Sequence, residues 1–351
     1  MTCGPTALAN PRTLAGLGAL LVLASCVAPP PTPQQSQQLL ATAEAQITAG
    51  SFDDAIAALD SIDELRCPKR LRDRRDIARA EAELGRGKPW RAYLALDEFN
   101  DLYPYSERRG RVVEILWQAS KAMFERDSNV LFFWSDRNGG RTVLEHLITR
   151  NPDTQRLADA LRILGDIEFE NGNYEMAQER YRDIILNRPE SDWRFYAQFR
   201  FAMSIVAGLR GPDYDLDRMQ HAVTELRGFL DNAPENPEMR GEAERALQQV
   251  LGWQMQRHLL VADYYRTLKN IAGQRLHLQQ ATGEEYALAD GYDQAVARLA
   301  SFEEETAANA AAAQRKAAEE AAAKAAEQAA AKQAAPAATE VGPEGSTGGR
   351  P

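Results

Sequence analysis

Few side chains in this sequence could do chemistry, and most of these lack the neighbours that catalysis needs. The histidines each fall inside an amphipathic helical pattern, and they are His146, His221, His258 and His277. None stands in an HExxH or paired-cysteine setting, which argues against a metal site. No serine, histidine and acid recur at an elbow or in a glycine-rich turn as nucleophilic catalysis requires. We expect no enzyme activity, metal, cofactor or small-molecule substrate.

One cysteine stands in a setting with a defined chemistry. Residues 14–24 form an apolar stretch too short to span a bilayer as a helix. The tetrapeptide that ends it, Leu23-Ala24-Ser25-Cys26, resembles the lipobox of bacterial lipoprotein precursors. Small residues there fit a peptidase cleft, and the cysteine thiolate takes the lipid. Residues 1–25 would then be a signal peptide and Cys26 the lipidated residue. An ordinary secretory signal cut near Ala24 is the alternative.

The residue after the cysteine and the segment that follows bear on where an anchored protein would sit. Val27 is not the aspartate associated with inner-membrane retention in enterobacteria, so resemblance favours the outer membrane. Residues 26–38 are rich in proline and glutamine and predict an extended tether. A folded part on such a tether would face the periplasm, lifted off the membrane surface.

A helical-hairpin pattern organises the rest of the chain, and its cleanest copy covers residues 160–189. Small residues stand where two helices must cross closely, an aromatic fills the hairpin, and a proline ends the second helix. The landmarks are Gly165, Gly172, Ala177, Tyr181 and Pro189. This pattern resembles a tetratricopeptide (TPR) repeat.

The same offsets recur, in whole or in part, around Ala55, Ala92 and Ala222. Degenerate copies cover residues 105–152 and 239–282, and residues 284–302 predict a closing helix. The sequence therefore predicts an all-α fold, a TPR-like helical-hairpin solenoid of about five to six repeats over residues 39–302. Cys67, at a predicted helix end, is expected to be a small buried residue rather than a reactive thiol.

The first helix of each pair should form the inner wall of such an array, where an extended peptide would bind. The candidate peptide-binding residues counted from the landmarks are Arg74, Ile77, Glu81, Asp159, Arg162, Asp166 and Glu170. Their mixed charges suit salt-sensitive pairs with a peptide. Simple solvation of these side chains is the alternative.

Two further stretches leave alternatives open. Residues 67–79 are dense in arginine and predict either a solvated, charge-balanced helix face or a dock for an acidic partner segment or lipid headgroup. Residues 131–134, Leu-Phe-Phe-Trp, are expected to pack into their hairpin or extend its first helix, or else to form an exposed contact for a partner.

The composition changes after Phe302. Residues 303–335 are mostly Ala, Glu, Lys and Gln, which predicts a solvent-exposed helix without a face that docks firmly. Residues 336–351, rich in glycine and proline, predict a disordered tail. The formal net charge of −10 argues against general nucleic-acid binding.

The lipobox, the tether and the hairpins together resemble the BamD-type lipoproteins of the outer-membrane β-barrel assembly machinery. Further matching features are Tyr103-Pro104-Tyr105-Ser106 and Arg188-Pro189-Glu190-Ser191, at positions where that family closes a repeat. The Tyr214-Asp215 hairpin also matches. The resemblance implies a scaffold that receives unfolded outer-membrane proteins and holds a β-barrel insertase, without catalysis. A periplasmic TPR adaptor for cell-wall synthesis or secretion is the competing hypothesis.

Overall fold

The computed structural model describes residues 31–62, 67–126, 129–131, 134–232, 234 and 236–334. These ranges confirm the predicted all-α class: TPR-like helical hairpins account for their regular structure, apart from one pair of short strands. Most helices pack against the next helix along the chain, as expected for stacked hairpins. The chain divides into two compact units, residues 1–150 and 151–351.

The first unit contains seven helices among its described residues. They are α1 (Pro33–Thr48), α2 (Phe52–Asp60), α3 (Lys69–Gly85), α4 (Pro89–Leu94), α5 (Phe99–Leu102), α6 (Arg109–Arg126) and α7 (Asp136–Arg150). Strands β1 (Asn129–Leu131) and β2 (Trp134–Ser135) pair antiparallel between α6 and α7. Leu131 and Trp134 of the apolar run therefore lie in strands rather than in an extension of α6, which ends at Arg126, and Phe132 and Phe133 lie outside the described residues.

The second unit is also built from successive helices. They are α8 (Leu157–Glu170), α9 (Tyr174–Asn187), α10 (Arg194–Gly208), α11 (Leu216–Asn232), α12 (Pro237–Thr267), α13 (Ile271–Ala281), a 3-10 turn (Glu284–Tyr286) and α14 (Tyr292–Ala334). The predicted closing helix over 284–302 is thus divided between the 3-10 turn and the start of α14.

The alanine landmarks occupy the centre of each hairpin. Ala55, Ala92, Ala177 and Ala222 are fully buried. Five residues before the first three stands a glycine with positive φ, at Gly50, Gly87 and Gly172. In each case the glycine and the next residue donate N–H bonds back into the preceding helix, as in a Schellman cap. The repeat spacing therefore encodes the left-handed turn that reverses the chain.

Gly165 marks a close approach rather than a turn. A Cβ atom built on it would lie 2.7 Å from Cε1 of Tyr181, which is fully buried. The Tyr181 ring on α9 thus occupies the space that a side chain at position 165 of α8 would need. This pair explains why a small residue and an aromatic recur together in the repeat pattern.

Helix α1 begins earlier than the predicted tether allows. The tether was expected to reach residue 38, but α1 starts at Pro33. Thr32 and Gln35 form a capping box, in which each side chain accepts a hydrogen bond from the other residue's backbone N–H. Proline at the first helical position adds to this start signal. The predicted signal peptide 1–25 and Cys26 lie outside the described residues.

At the other end, α14 is one helix of 43 residues that joins the end of the folded unit to the alanine-rich segment. Phe302 is buried with Ala262 and Leu278, whereas every side chain from 307 to 330 is exposed. The tail 336–351 lies outside the described residues. Among the described helices, none combines the length and apolarity needed to cross a membrane.

Candidate protein-binding face

A charge network in the second unit converges on the carboxylate of one predicted binding residue, Asp166. Asp166 on α8 accepts hydrogen bonds from the hydroxyl groups of Tyr181 and Tyr196, each at 2.7 Å. Its other oxygen accepts from Arg162 at 2.7 Å. Arg200 lies 3.7 Å from Asp166 and donates to the Tyr181 hydroxyl. The carboxylate therefore ties α8 to both α9 and α10.

Aromatic rings surround this charge network. The Arg162 guanidinium lies 4.5 Å from the ring centroid of Trp193, and the Arg200 guanidinium lies 3.9 Å from that of Phe169. Such cation–π contacts hold the cations in place beside Asp166. The Trp193 indole N–H in turn donates to Asp159 at 2.7 Å. Two predicted binding residues thus orient the same tryptophan.

The phenols of this network stay protonated well above neutral pH. Burial, followed by the hydrogen bond to Asp166, raises the pKa of Tyr196 to about 12. Burial and the Asp166 charge also raise the pKa of Tyr181. Both hydroxyls therefore act as hydrogen-bond donors across the physiological range.

In the first unit, the predicted residues on α3 also meet partners on neighbouring helices. Arg74 forms a bidentate ion pair with Glu44 of α1, with distances of 2.6 and 3.1 Å. Glu81 lies 2.5 Å from Arg111 of α6. Ile77 is a correction to the predicted set: it is buried, with only 7% of its surface exposed, and it cannot line an open surface.

The arginine-rich stretch is balanced within the first unit. Arg79 pairs with Asp60 at 2.7 Å, Arg75 with Asp76 at 2.7 Å, and Arg74 with Glu44. These contacts favour the charge-balanced interpretation of residues 67–79 over a dock for an acidic partner. Burial raises the pKa of the Cys67 thiol, as expected for a packing residue.

The motif Tyr103-Pro104-Tyr105-Ser106 closes its repeat through two carboxylates of α3. The Tyr103 hydroxyl donates to Asp76 at 2.6 Å, and the Ser106 hydroxyl donates to Asp73 at 2.9 Å. Arg108 also donates to Asp73, at 3.0 Å. Tyr105 between them points outward and is almost fully exposed. The motif thus fixes the loop and presents one aromatic ring.

The structure brings Asp159, Arg162 and Asp166 together and leaves Glu170 exposed one turn further along α8. Asp159 also borders a cavity of about 380 Å³ lined by the loops 153–155 and 188–193. Sequence reasoning did not include Tyr196, Arg200 and Trp193 among the site residues. Tyr196 and Arg200 belong to α10 and Trp193 directly precedes it, and only the aromatic content of 193–201 pointed to this segment.

Successive helix pairs with a buried alanine and a glycine turn define the fold class of this protein: TPR-like helical hairpins. No family model matches the chain, and no curated protein does. Solved structures match it, among them the crystal structure of MamA protein. That similarity has a TM-score of 0.34 at 18% identity and covers 58% of this chain and 99% of the other. At that TM-score the assignment rests on the hairpins described above.

Proposed function

We propose that this chain is a lipid-anchored TPR scaffold of the cell envelope, a BamD-like component of outer-membrane β-barrel protein assembly and insertion. The observation that carries the proposal is the division of labour within the repeats. The landmark residues of the repeats are buried and pack the helices together. The charged residues of α3 and α8 remain at the helix surfaces, where they form ion pairs. We propose no catalytic role for them.

Binding would exploit the paired charges. Arg74 and Glu81 keep part of their side chains open to solvent, and so does Asp159. A partner segment can share these charges through further hydrogen bonds without leaving a buried ion unpaired. Because such pairs are screened by ions, we expect partner binding to weaken as ionic strength rises.

The anchor is tested by removing the acceptor thiol. Cys26→Ala should move the protein from the membrane fraction to the soluble periplasmic fraction, whereas Cys67→Ala, at a buried thiol, should leave it membrane-bound. Retention of Cys26→Ala on the membrane would remove lipidation from the proposal.

The partner is tested by affinity purification from solubilised envelopes. Recovery of a β-barrel insertase with POTRA domains is expected, together with its loss in the double variant Glu81→Lys, Asp159→Lys. Glu179→Lys, an exposed charge reversal on α9, serves as the matched control and should retain the partner. Recovery of other proteins in place of the insertase would contradict the assembly role.

One observation favours the alternative adaptor for cell-wall synthesis or secretion. Helix α14 extends about 65 Å at about 1.5 Å per residue, and its outer part is exposed on every side. A projecting helix of this kind suits a protein that reaches a distant partner. Cell-wall or secretion proteins in the affinity purification would support this alternative.

A further inference from the structure

A groove in the first unit lies apart from the face discussed above. It has a volume of about 510 Å³ and is bordered by the end of α2, the middle of α3 and the segment from α4 to α5. Helix α3 contributes Arg75, Asp76 and Arg79 to it, which stand on the side of α3 opposite Arg74 and Glu81. The groove is therefore open to a ligand independently of the predicted binding face.

The groove opens where a helix is interrupted. The second helix of this hairpin is divided into α4 and α5, with Ala95–Glu98 forming a turn between them. Bonds of the i to i−3 type replace the regular pattern here, from Leu96 N–H to the Tyr93 carbonyl and from Phe99 N–H to the Leu96 carbonyl. In the 160–189 hairpin the corresponding helix, α9, is continuous. Interruptions of this kind frequently occur at functional positions.

The rim of the groove is apolar and exposed. Leu94 is 50% exposed and Leu102 is 59% exposed, and they flank the turn on its two sides. Phe99 and Ile62 are buried and form the apolar part of the lining. Two exposed leucines above an apolar floor fit one large apolar side chain of a ligand.

The charges around the groove are unequally satisfied. Arg79 pairs with Asp60, while Arg75 pairs with Asp76, which also accepts from the Tyr103 hydroxyl. That leaves Asp97 and Glu98, on the interrupted turn, without an ion-pair partner among the described residues. Among the described residues, the groove therefore presents two carboxylates outside any ion pair beside an apolar rim.

We propose that this groove docks a cationic–apolar peptide segment of a partner protein, in which one large apolar side chain is flanked by lysine or arginine. The apolar side chain lies between Leu94 and Leu102, and the flanking cations pair with Asp97 and Glu98. Charge complementarity selects this occupant, because an acidic segment would meet like charges. The proposal rests on the protein-binding part of the proposed function and not on the β-barrel assembly role.

Fluorescence anisotropy with the purified full chain tests the proposal. The probes are a short labelled peptide with one phenylalanine between two lysines, and its counterpart with glutamates in place of the lysines. The lysine peptide should bind at least tenfold more tightly, a difference of about 1.4 kcal/mol. This preference should shrink as salt is added. Equal binding of the two peptides, or no binding of the lysine peptide, would overturn the proposal.

Two double variants locate the binding. Asp97→Asn with Glu98→Gln should abolish the preference for the lysine peptide, and Leu94→Ser with Leu102→Ser should weaken both peptides. Glu179→Gln with Asp183→Asn, and Leu186→Ser, remove exposed groups of α9 in the second unit and should bind as the parent does. Circular dichroism melts identify any variant that fails to fold. If Asp97→Asn with Glu98→Gln folds and keeps the preference, the groove is not the site.

This experiment separates the groove from the assembly role. Lysine-peptide binding that responds to the groove variants upholds the groove, even if no insertase is recovered from envelopes. Recovery of the insertase without any peptide preference upholds the assembly role and rejects the groove.

Discussion

At the scale of single residues, Gly165 is where the hairpin tolerates no side chain. A Cβ atom there would meet the Tyr181 ring at 2.7 Å, so Gly165→Ala should force the two helices apart. We expect a loss of about 2 kcal/mol in the free energy of unfolding, typical of overpacking. Gly228→Ala is the control in the same unit, because a Cβ there meets open space within α11. It should stabilise by up to about 1 kcal/mol through helix propensity. Urea melts that rank the two variants the other way would contradict the contact.

Asp166 is the residue on which three helices depend. Asp166→Asn keeps the size of the side chain but removes the charge that pairs with Arg162 and Arg200. We expect the free energy of unfolding to fall by about 2 kcal/mol, because the buried groups that donate to Asp166 lose part of their acceptor. Asp183→Asn, an exposed carboxylate on α9, should change stability by less than about 0.5 kcal/mol.

The same network predicts an alkaline limit to stability. The pKa of Tyr196 is about 12 in the folded chain against an ordinary 10.0, so the folded state resists ionisation that the unfolded state undergoes. Its contribution to stability is therefore fully present below pH 10 and lost as the pH rises towards 12. Ultraviolet absorbance of tyrosinate should show a late-titrating group. That group should titrate earlier in Asp166→Asn, and an unchanged titration would contradict the assignment.

At the scale of secondary-structure elements, the packing of α13 on α12 depends on a histidine pair. Nδ1 of His258 lies 3.3 Å from Nδ1 of His277, and the ring centroids are 5.6 Å apart. The distance between the centroids is close to the distance between the two nitrogens plus the radius of each ring. The two nitrogens therefore lie between the ring centres and face each other directly. One nitrogen donates a hydrogen bond and the other accepts, and protonating both would bring two N–H groups together.

Acid should therefore loosen α13. Burial, followed by the His277 charge, lowers the pKa of His258, and burial lowers the pKa of His277. The other groups at the pair are Glu285, whose charge opposes the shift of His258, and the rings of Tyr265 and Tyr286. A histidine whose pKa is lowered by folding stabilises the folded state above pH 6.5, the ordinary histidine pKa. That contribution is lost as the pH falls through the pKa of the folded state.

Hydrogen exchange measures this directly. Amides of α13 should exchange faster at pH 5 than at pH 7.5 after correction for intrinsic rates, and His277→Gln should remove the difference. His221→Gln is the control, since His221 is an exposed residue of α11 beside Glu225. Equal protection of the α13 amides at both pH values would reject the loosening of α13 by acid.

The outer part of α14 should contribute nothing to the stability of the second unit. Every side chain from 307 to 330 is exposed, so deleting residues 307–351 should leave the melting transition unchanged. Phe302→Ala should lower the free energy of unfolding by about 3 kcal/mol, because Phe302 packs against Ala262 and Leu278. A lower melting temperature for the deletion would show that the outer helix contacts the folded unit.

Local sequence regularities predicted some of these elements and missed others for physical reasons. The landmarks around Ala177 identified the hairpins because small residues, glycine turns and prolines each act over a few positions. The break between α4 and α5 was missed, since Ala95-Leu96-Asp97-Glu98 contains neither glycine nor proline. His258 and His277 are 19 residues apart in the sequence and lie on different helices. The helical pattern of the sequence does not specify which side chains of two helices meet.

The candidate site was predicted in part. Helical spacing placed Asp159, Arg162 and Asp166 on one face of α8, and the structure brings them together. The same spacing placed Ile77 on an open face, whereas its side chain is buried in the structure. Partners from α10, which follows this hairpin, such as Tyr196 and Arg200, depend on how helices stack, which the repeat pattern of one hairpin does not specify.

At the scale of the whole molecule, two units of helical hairpins carry charged faces, a docking groove and a projecting helix. In the proposed function, these parts hold several partners at once, and the proposed lipid anchor at Cys26 would raise their effective concentration at the membrane. We propose that these parts serve the assembly of β-barrel proteins in the outer membrane.

Depletion of the chain in its own cells tests that claim most directly. The folded fraction of outer-membrane β-barrel proteins is measured by their heat-modifiable migration in gels, before and after depletion. We predict that unfolded barrels accumulate, that the full chain restores folding, and that Cys26→Ala restores it poorly. An unchanged folded fraction after complete depletion would contradict the assembly role.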